Sequence, residues 1–117
     1  MKASDVKKQF EKEGFECFFQ RDSKKNFNIF LPTADGRISI GEYRSEKFKI
    51  CNISQLYIRE TNEFLMNNKG LYFNIVFTNE VMFGEIEPAL ELAKKIELEY
   101  KKLQERIELI KIAMDSL

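Results

Sequence analysis

Residues 86–117 read IEPALELAKKIELEYKKLQERIELIKIAMDSL and contain one proline and no glycine. Pro88 stands near the start, where a helix tolerates proline because the N–H group of the first helical residue has no partner within the helix. No helix breaker follows, so the stretch predicts a long helix over 88–115. The rest of the chain predicts only short elements, and the fold is expected to be organised around this helix.

The apolar residues of the long helix recur at alternating spacings of three and four. A stripe of this kind is typical either of a face that packs on the protein's own sheet or of a coiled-coil seam. A parallel coiled coil is poorly encoded, because it would bring Arg106 beside Lys111, whereas an antiparallel pairing stays open. We expect the first half, up to about Leu103, to pack on this chain's own sheet. The two rows of the stripe are Ala93, Tyr100, Ile107 and Met114, and Ile96, Leu103, Ile110 and Leu117.

The second half of the helix carries apolar residues around more of its circumference. Leu109 and Ile112 depart from the stripe and lie on the side of Leu98. A helix of ~28 residues is ~42 Å long, whereas a strand of ~6 residues spans only ~20 Å, so one small sheet cannot cover the whole helix. Exposed apolar patches often mark interaction sites. We therefore predict a partner-binding surface formed by Ile107, Leu109, Ile110, Ile112, Met114 and Leu117.

Between residues 15 and 86 apolar and polar side chains alternate, which is typical of antiparallel strands with one solvated face. Turn-forming residues divide this region into about seven strands, with a corner at 54–55 and turns at 34–37, 67–70 and 78–80. The predicted fold class is α+β: a strongly bent antiparallel sheet or small barrel, a short N-terminal helix, and the long C-terminal helix packed on the sheet and projecting beyond it. An open sheet with both helices across one face fits nearly as well.

The N-terminal segment predicts a short helix over 4–13. Ser4 is the expected N-cap, and Gly14 is the expected stop, because glycine commonly follows a helix in a left-handed conformation. Val6 and Phe10 lie one turn apart and are expected to anchor this charged helix on the rest of the protein. No linker or repeat divides the chain, so residues 1–117 are expected to form a single domain.

The composition argues against catalysis. The 117 residues include nineteen basic and nineteen acidic side chains and no histidine, which is the commonest general base and metal ligand. Cys17 and Cys51 are far from any metal-ligand spacing and are expected to be reduced, buried thiols. No phosphate-cradling glycine loop or paired nucleophile and base is present. We expect a protein that is not an enzyme and has no cofactor and no metal.

The stretch from Phe48 to Leu103 resembles the closing half of a bacterial pleckstrin-homology-like domain. The resemblance rests on an amphipathic strand, LYFNIVF at 71–77, a short strand, VMFGEI at 81–86, and a helix that opens with PALELA at 88–93. It is a likeness of arrangement over about half of the chain. It implies a bent sheet of about seven strands that is capped at one open end by the C-terminal helix.

A second candidate surface is a local basic patch formed by Arg21, Lys24, Lys25, Arg44, Lys47 and Lys49, with Tyr43 and other exposed aromatic side chains beside it. Such a patch could hold nucleic acid through phosphate contacts and base stacking. The balanced charge argues against nucleic acid as the default partner, since backbone binders usually show a concentrated basic face. Asn28 stands where a phosphoinositide-binding motif of the resembled family would need another cation, which argues against that ligand.

The leading functional hypothesis is a non-catalytic interaction module that self-associates or docks a protein partner through the C-terminal helix. The alternatives are a small phage- or mobile-element-type inhibitor or adaptor that occludes a host protein, and nucleic-acid binding through the basic patch. No apolar segment follows the charged N-terminus and no run approaches the ~18–20 apolar residues of a membrane span, so the expected location is the cytoplasm.

Overall fold

The long C-terminal helix lies against an antiparallel sheet in the computed structural model of the protein, which describes residues 2–33, 36–61 and 70–115. Side chains are described for residues 2–33, 36–51, 80–106, 108, 109, 112 and 113. The elements, in chain order, are α1 (Ala3–Lys12), β1 (Glu16–Phe19), β2 (Phe27–Thr33), β3 (Gly36–Arg44), β4 (Lys47–Thr61), β5 (Gly70–Phe83) and α2 (Ile86–Asp115).

The described strands form one antiparallel meander in the order β1-β2-β3-β4-β5, and the sheet is open. The prediction of an α+β protein with an antiparallel sheet and two helices is confirmed, whereas the prediction of about seven strands is wrong. Of the sheet forms that the sequence left open, the small barrel is excluded because the sheet is not closed. The corner predicted at 54–55 lies inside β4, and the turn predicted at 78–80 lies inside β5. The register between these two strands shifts at Cys51/Ile53 and Ile53/Gln55, so bulges bend the long strands without ending them.

Two features of the predicted strand region fall on residues that the structure does not describe. The short strand predicted at 64–66 lies outside the described residues, as do residues 67–69 of the predicted turn. The turn predicted at 34–37 is described at its ends only, where Thr33 pairs with Gly36 across the β2–β3 ladder.

Strands β3 and β4 are joined by the two-residue turn Ser45-Glu46. Both residues have positive φ, 52° and 62°, which is the geometry of a type I′ turn and matches the twist of the flanking strands. The amide of Ser45 donates a hydrogen bond of 3.2 Å to the side-chain carbonyl of Asn26, which ties this turn to the neighbouring β1–β2 connection.

Helix α1 ends as the sequence predicts and begins at Ala3, one residue before its predicted cap. Gly14 has φ 99°, its amide donates to the Glu11 carbonyl, and the Phe15 amide donates to the Phe10 carbonyl. These two bonds form a Schellman motif, and the edge-to-face contact of the Phe10 and Phe15 rings at 6.0 Å adds the hydrophobic contact that accompanies it. Ser4 is not the N-cap, because the helix is already formed at Ala3 and Lys2 occupies the cap position.

Both helices pack on the same face of the sheet, which is the open two-layer arrangement that the alternation of residues also allowed. One continuous core joins side chains from α1, α2 and the inward face of β1–β4. Val6 and Phe10 of α1 are buried, as predicted. The core residues of the strands are Cys17, Phe27, Ile29, Leu31, Ile40, Tyr43, Phe48 and Ile50, with Phe15 just ahead of β1.

Gly41 permits the close approach of β3 and β4 beneath the helices. A Cβ atom at this position would lie 2.3 Å from the Lys49 carbonyl oxygen and 2.9 Å from a methyl carbon of Ile50. A side chain of any size would therefore push β3 and β4 apart beside Ile50, which is a residue of the core.

Candidate interaction surface

The first half of α2 presents its predicted stripe to the sheet. Ile86, Ala89, Ala93, Ile96 and Leu103 are buried. Burial of this row supports the expectation that the helix packs on its own domain as far as about Leu103. The small alanines let the helix axis come close to the strands.

An ion pair connects α2 to the end of α1. The Lys94 ammonium lies 2.9 Å from a carboxylate oxygen of Glu13, and both side chains are partly exposed. Pairs of this kind contribute about 0–1 kcal/mol. The packing of the stripe therefore supplies most of the attachment of α2, and the ion pair adds little to it.

The opposite side of α2 carries three large exposed aliphatic side chains. Leu98, Leu109 and Ile112 are 53%, 67% and 63% exposed. At about 100° per residue the three fall within a sector of about 60°, on the side of the helix away from Ala89 and Ile96. We call this set, Leu98, Leu109 and Ile112, the outward apolar face.

A shallow groove of about 550 Å³ leads into the outward apolar face from the N-terminal end of α2. Leu92 and Leu98 line it together with Phe83 at the end of β5, and lysines stand on its rim. The full lining is Phe83, Pro88, Glu91, Leu92, Lys94, Lys95 and Leu98. Exposed apolar side chains therefore lie on this side of α2 both near its N-terminal end and near its C-terminal end, with the charged Lys102 and Glu105 between Leu98 and Leu109.

The predicted partner-binding residues are described in part. Leu109 and Ile112 lie on the outward apolar face. Ile107, Ile110 and Met114 lie within α2, but their side chains are outside the described ones, and Leu117 lies beyond the described residues. Leu98 lies on the side of Leu109 and Ile112 in the predicted helix but is not part of the predicted surface. Leu98 precedes Leu109 by eleven residues and Ile112 by fourteen. Both spacings are close to a whole number of helical turns, and this is the sequence signal that assigns Leu98 to the same face.

The predicted basic patch is only partly brought together. Lys24 and Lys25 line a cleft of about 720 Å³ with Lys2 and Ser4 at the start of α1 and with the β3–β4 turn. Glu46 also lines this cleft and offsets part of its positive charge. Four of the predicted members, Arg21, Arg44, Lys47 and Lys49, are not among the residues that line it.

Two members of the predicted patch are already engaged elsewhere. Lys49 lies on the outward side of β4 and forms an ion pair of 3.4 Å with Glu80. Tyr43 is buried rather than exposed, with its ring stacked on Phe27 at 5.2 Å and against Phe48 at 4.7 Å. Burial and the neighbouring Glu46 raise the pKa of its hydroxyl. Tyr43 lines the same cleft as Lys24 and Lys25 but exposes only a small part of its ring there, contrary to the stacking role expected of it.

A group of exposed aromatic residues on the outward side of the sheet is covered by one arginine. The Arg37 guanidinium lies 4.5 Å from the ring centre of Phe18 and 5.4 Å from that of Phe30. It also lies 3.6 Å from a carboxylate oxygen of Glu16. These rings are occupied by an internal cation–π contact and make a weaker candidate for partner binding than the outward apolar face.

Both cysteines are free thiols, as expected, but only Cys17 is buried as predicted. Cys17 is buried, and this burial, with a smaller contribution from the Glu11 carboxylate, raises the pKa of its thiol from 9.0 to about 12. Cys51 is half-buried, and burial followed by the charge of Glu80 raises the pKa of its thiol as well. Neither thiol has the depressed pKa of a reactive nucleophile.

Among the side chains that the structure describes, no three His, Cys, Asp or Glu residues are grouped so that they could hold a metal ion. No helix in the described part of the chain is long and apolar enough to cross a membrane. Comparisons with protein-family models, curated proteins and solved structures give no match to this chain. The outward apolar face is thus the surface from which a function can be argued.

Proposed function

We propose that this protein is a non-catalytic interaction module that binds a protein partner through the outward apolar face of α2. The observation that carries the proposal is the alignment of Leu98, Leu109 and Ile112 on one side of a helix whose other side already packs on the sheet. Single exposed aliphatic residues are ordinary, but three on one face of a helix form a surface that a partner can cover.

The three side chains of the outward apolar face leave a large part of their apolar area accessible to a partner. Burying a Leu or Ile side chain completely is worth about 1.5–3 kcal/mol, and each of these three is more than half exposed. Covering them would contribute several kcal/mol toward binding, to which further contacts around the rim must add in order to offset the cost of association. Leu109 and Ile112 have the i, i+3 spacing of anchors in helix-in-groove recognition, and Leu98 lies about three turns before them on the same side.

The assignment of the surface is tested by comparing which proteins bind to three forms of the full chain: the wild type, Leu109→Lys and Met82→Lys. The Leu109→Lys variant places a charge on the outward apolar face. The matched control is Met82→Lys, because Met82 is 59% exposed and lies on the other side of the sheet. Each tagged form is incubated with a cell lysate, and any protein recovered is then purified and its binding measured directly.

A partner that binds the wild type and Met82→Lys with equal affinity and binds Leu109→Lys at least about tenfold more weakly supports the proposal. Tenfold corresponds to about 1.4 kcal/mol, which is less than the value of one buried leucine. A partner that binds all three forms equally overturns the assignment of the surface. Recovery of no partner, together with a protein that does not self-associate, overturns the function itself.

A further inference from the structure

We propose that the partner of the outward apolar face is a second copy of this chain, paired with its α2 antiparallel to the first about a dyad between Leu103 and Gln104. This inference rests on the proposed function and names its partner. It follows from the order of charged and apolar residues along the exposed side of the helix.

The exposed side of α2 has the spacing of a coiled-coil seam that is independent of the buried stripe. Its positions alternate by four and three residues, as the core positions of a two-stranded coiled coil do. Two of the central positions are charged, and all of them are exposed. The seam positions are Lys95, Leu98, Lys102, Glu105, Leu109 and Ile112.

The antiparallel register about this dyad matches the central seam positions. Leu98 of each copy meets Leu109 of the other, and Lys102 of each copy meets Glu105 of the other. The centre of the interface therefore contains two Lys–Glu pairs, with a leucine pair on either side. Charged pairs at core positions are known to fix register and orientation at some cost in stability.

Other registers place the same residues against unsuitable partners. A parallel pair in register would bring Lys102 against Lys102 and Glu105 against Glu105. An antiparallel pair shifted by one heptad in either direction would set Leu98 against Lys102, or Leu109 against Glu105. The register centred between Leu103 and Gln104 matches the four central seam positions, while at each end of the overlap Lys95 of one copy lies opposite Ile112 of the other.

The residues that flank the seam favour the same arrangement. In an antiparallel coiled coil, equivalent flanks of the two helices face each other. One flank then pairs Glu99 with Arg106 of the second copy, and the other pairs Lys101 with Glu108 of the second copy. Both are pairs of opposite charge, and each occurs twice. A parallel arrangement would instead bring Lys101 near Arg106.

The existing contacts of these side chains leave them able to form the proposed pairs. Lys102 lies 3.5 Å from Glu99, and Lys101 lies 3.5 Å from Glu97, both within one helix and at least partly exposed. Pairs of this kind contribute only about 0.2–0.5 kcal/mol and can be exchanged for contacts across the interface. The sheet of each copy lies on the opposite side of α2, so it does not obstruct the approach of the second helix.

The interface is small. The overlap from Lys95 to Ile112 covers 18 residues, or about 27 Å of helix. An interface below the standard size predicts weak association, with half-dissociation on the order of 100 µM. Dimers are therefore expected at high protein concentration and monomers at low concentration.

The test is sedimentation equilibrium of the full chain from about 5 to about 500 µM. The wild type is expected to rise from 13.9 kDa towards twice that mass. Lys102→Glu and Glu105→Lys, each alone, bring like charges together at the centre and are expected to weaken dimerisation at least about tenfold. The double variant with both changes restores opposite charges in the antiparallel register and is expected to recover dimerisation. Circular dichroism establishes that each variant remains folded.

Recovery in the double variant supports the antiparallel register, since a parallel pair in register would still bring like charges together at positions 102 and 105. A dimer that neither single variant nor Leu109→Lys weakens would overturn the proposal. A wild-type chain that stays monomeric to about 500 µM would also overturn it. The broader function survives that last result if another protein is bound by the wild type and lost in Leu109→Lys.

Discussion

The ring of Phe10 on α1 lies 5.8 Å from the ring of Phe48 on β4, centre to centre. This contact joins the N-terminal helix to the middle of the sheet, and both rings are almost fully buried. Phe48 in turn contacts Tyr43, which stacks on Phe27. A chain of packed rings therefore connects α1 across three strands.

Removing the Phe10 ring should destabilise the whole domain. Phe10→Ala is expected to lower the free energy of unfolding by about 3–5 kcal/mol, because the lost ring leaves a cavity bounded by Phe15 and Phe48. The measurement is urea unfolding followed by circular dichroism. The control is Lys8→Ala on the exposed side of α1, for which a change within about 0.5 kcal/mol is expected. Equal effects of the two substitutions would show that α1 is not part of the cooperative core.

Gly41 should tolerate no side chain. A Cβ atom there would lie 2.3 Å from the Lys49 carbonyl oxygen, and backbone cannot move away as cheaply as a flexible side chain. Gly41→Ala is therefore expected to cost about 1–3 kcal/mol of unfolding free energy, the range for overpacking in a core.

Gly84→Ala is the matched control for Gly41→Ala. A Cβ atom at Gly84 would meet nothing within 4 Å, and the backbone there is not left-handed. The control is expected to be neutral or to stabilise by up to about 1 kcal/mol through the unfolded chain. The comparison uses thermal and urea unfolding of both variants. If Gly41→Ala were as stable as Gly84→Ala, this result would contradict the close approach of β3 and β4 at Gly41.

Cys17 should react with thiol reagents far more slowly in the folded protein than in the unfolded chain. Its pKa is raised from 9.0 to about 12, so at pH 8 the thiolate fraction falls by about 1,000-fold, and the thiolate is the reactive form. In a Cys51→Ser variant, which leaves Cys17 as the single thiol, colorimetric thiol titration at pH 8 should be slow without urea and fast in urea. Rapid reaction of the folded protein would contradict the burial of this residue.

The same raised pKa gives stability a dependence on alkaline pH. The unfolded chain loses the thiol proton near its ordinary pKa, while the folded state keeps it to about pH 12, so the contribution is intact below about pH 9 and is lost as pH rises above it. The fall with pH between about 9 and 12 should be shallower in Cys17→Ala than in the wild type. The remaining fall would include Tyr43, whose pKa is also raised.

Local signals predicted the helices well because a helix is defined by contacts within one segment. Gly14 ends α1 as predicted, since the left-handed conformation it adopts depends only on the adjacent turn. The long helix without a breaker is observed over Ile86–Asp115, and its buried stripe follows the predicted rows as far as Leu103. Ser4 failed as a cap because a capping preference is weaker than the packing that holds α1 from Ala3 onward.

The exposed end of the helix could be predicted only in outline. The excess of apolar residues near Leu109 and Ile112 was legible because it departs from the stripe. The spacing also places Leu98 on that face, but the sequence does not show that this side of α2 stays exposed. Only the packing of the sheet against the opposite side of the helix decides it. The same limit applies to Tyr43. The alternation of residues in its strand assigns Tyr43 to one face of the sheet but does not show which face the helices cover.

The sequence by itself determined the α+β class, the two helices and the alternating strands, because these depend on periodicity and on local backbone preferences. The tertiary structure decided that 54–55 and 78–80 continue their strands, since hydrogen bonds from the neighbouring strand can carry a chain through residues that would otherwise turn. It also decided that the sheet stays open and that both helices share one face. One side of α2 is buried on that sheet, so Leu98, Leu109 and Ile112 lie on the exposed side. Their exposure follows from this packing and could not be read from the sequence alone.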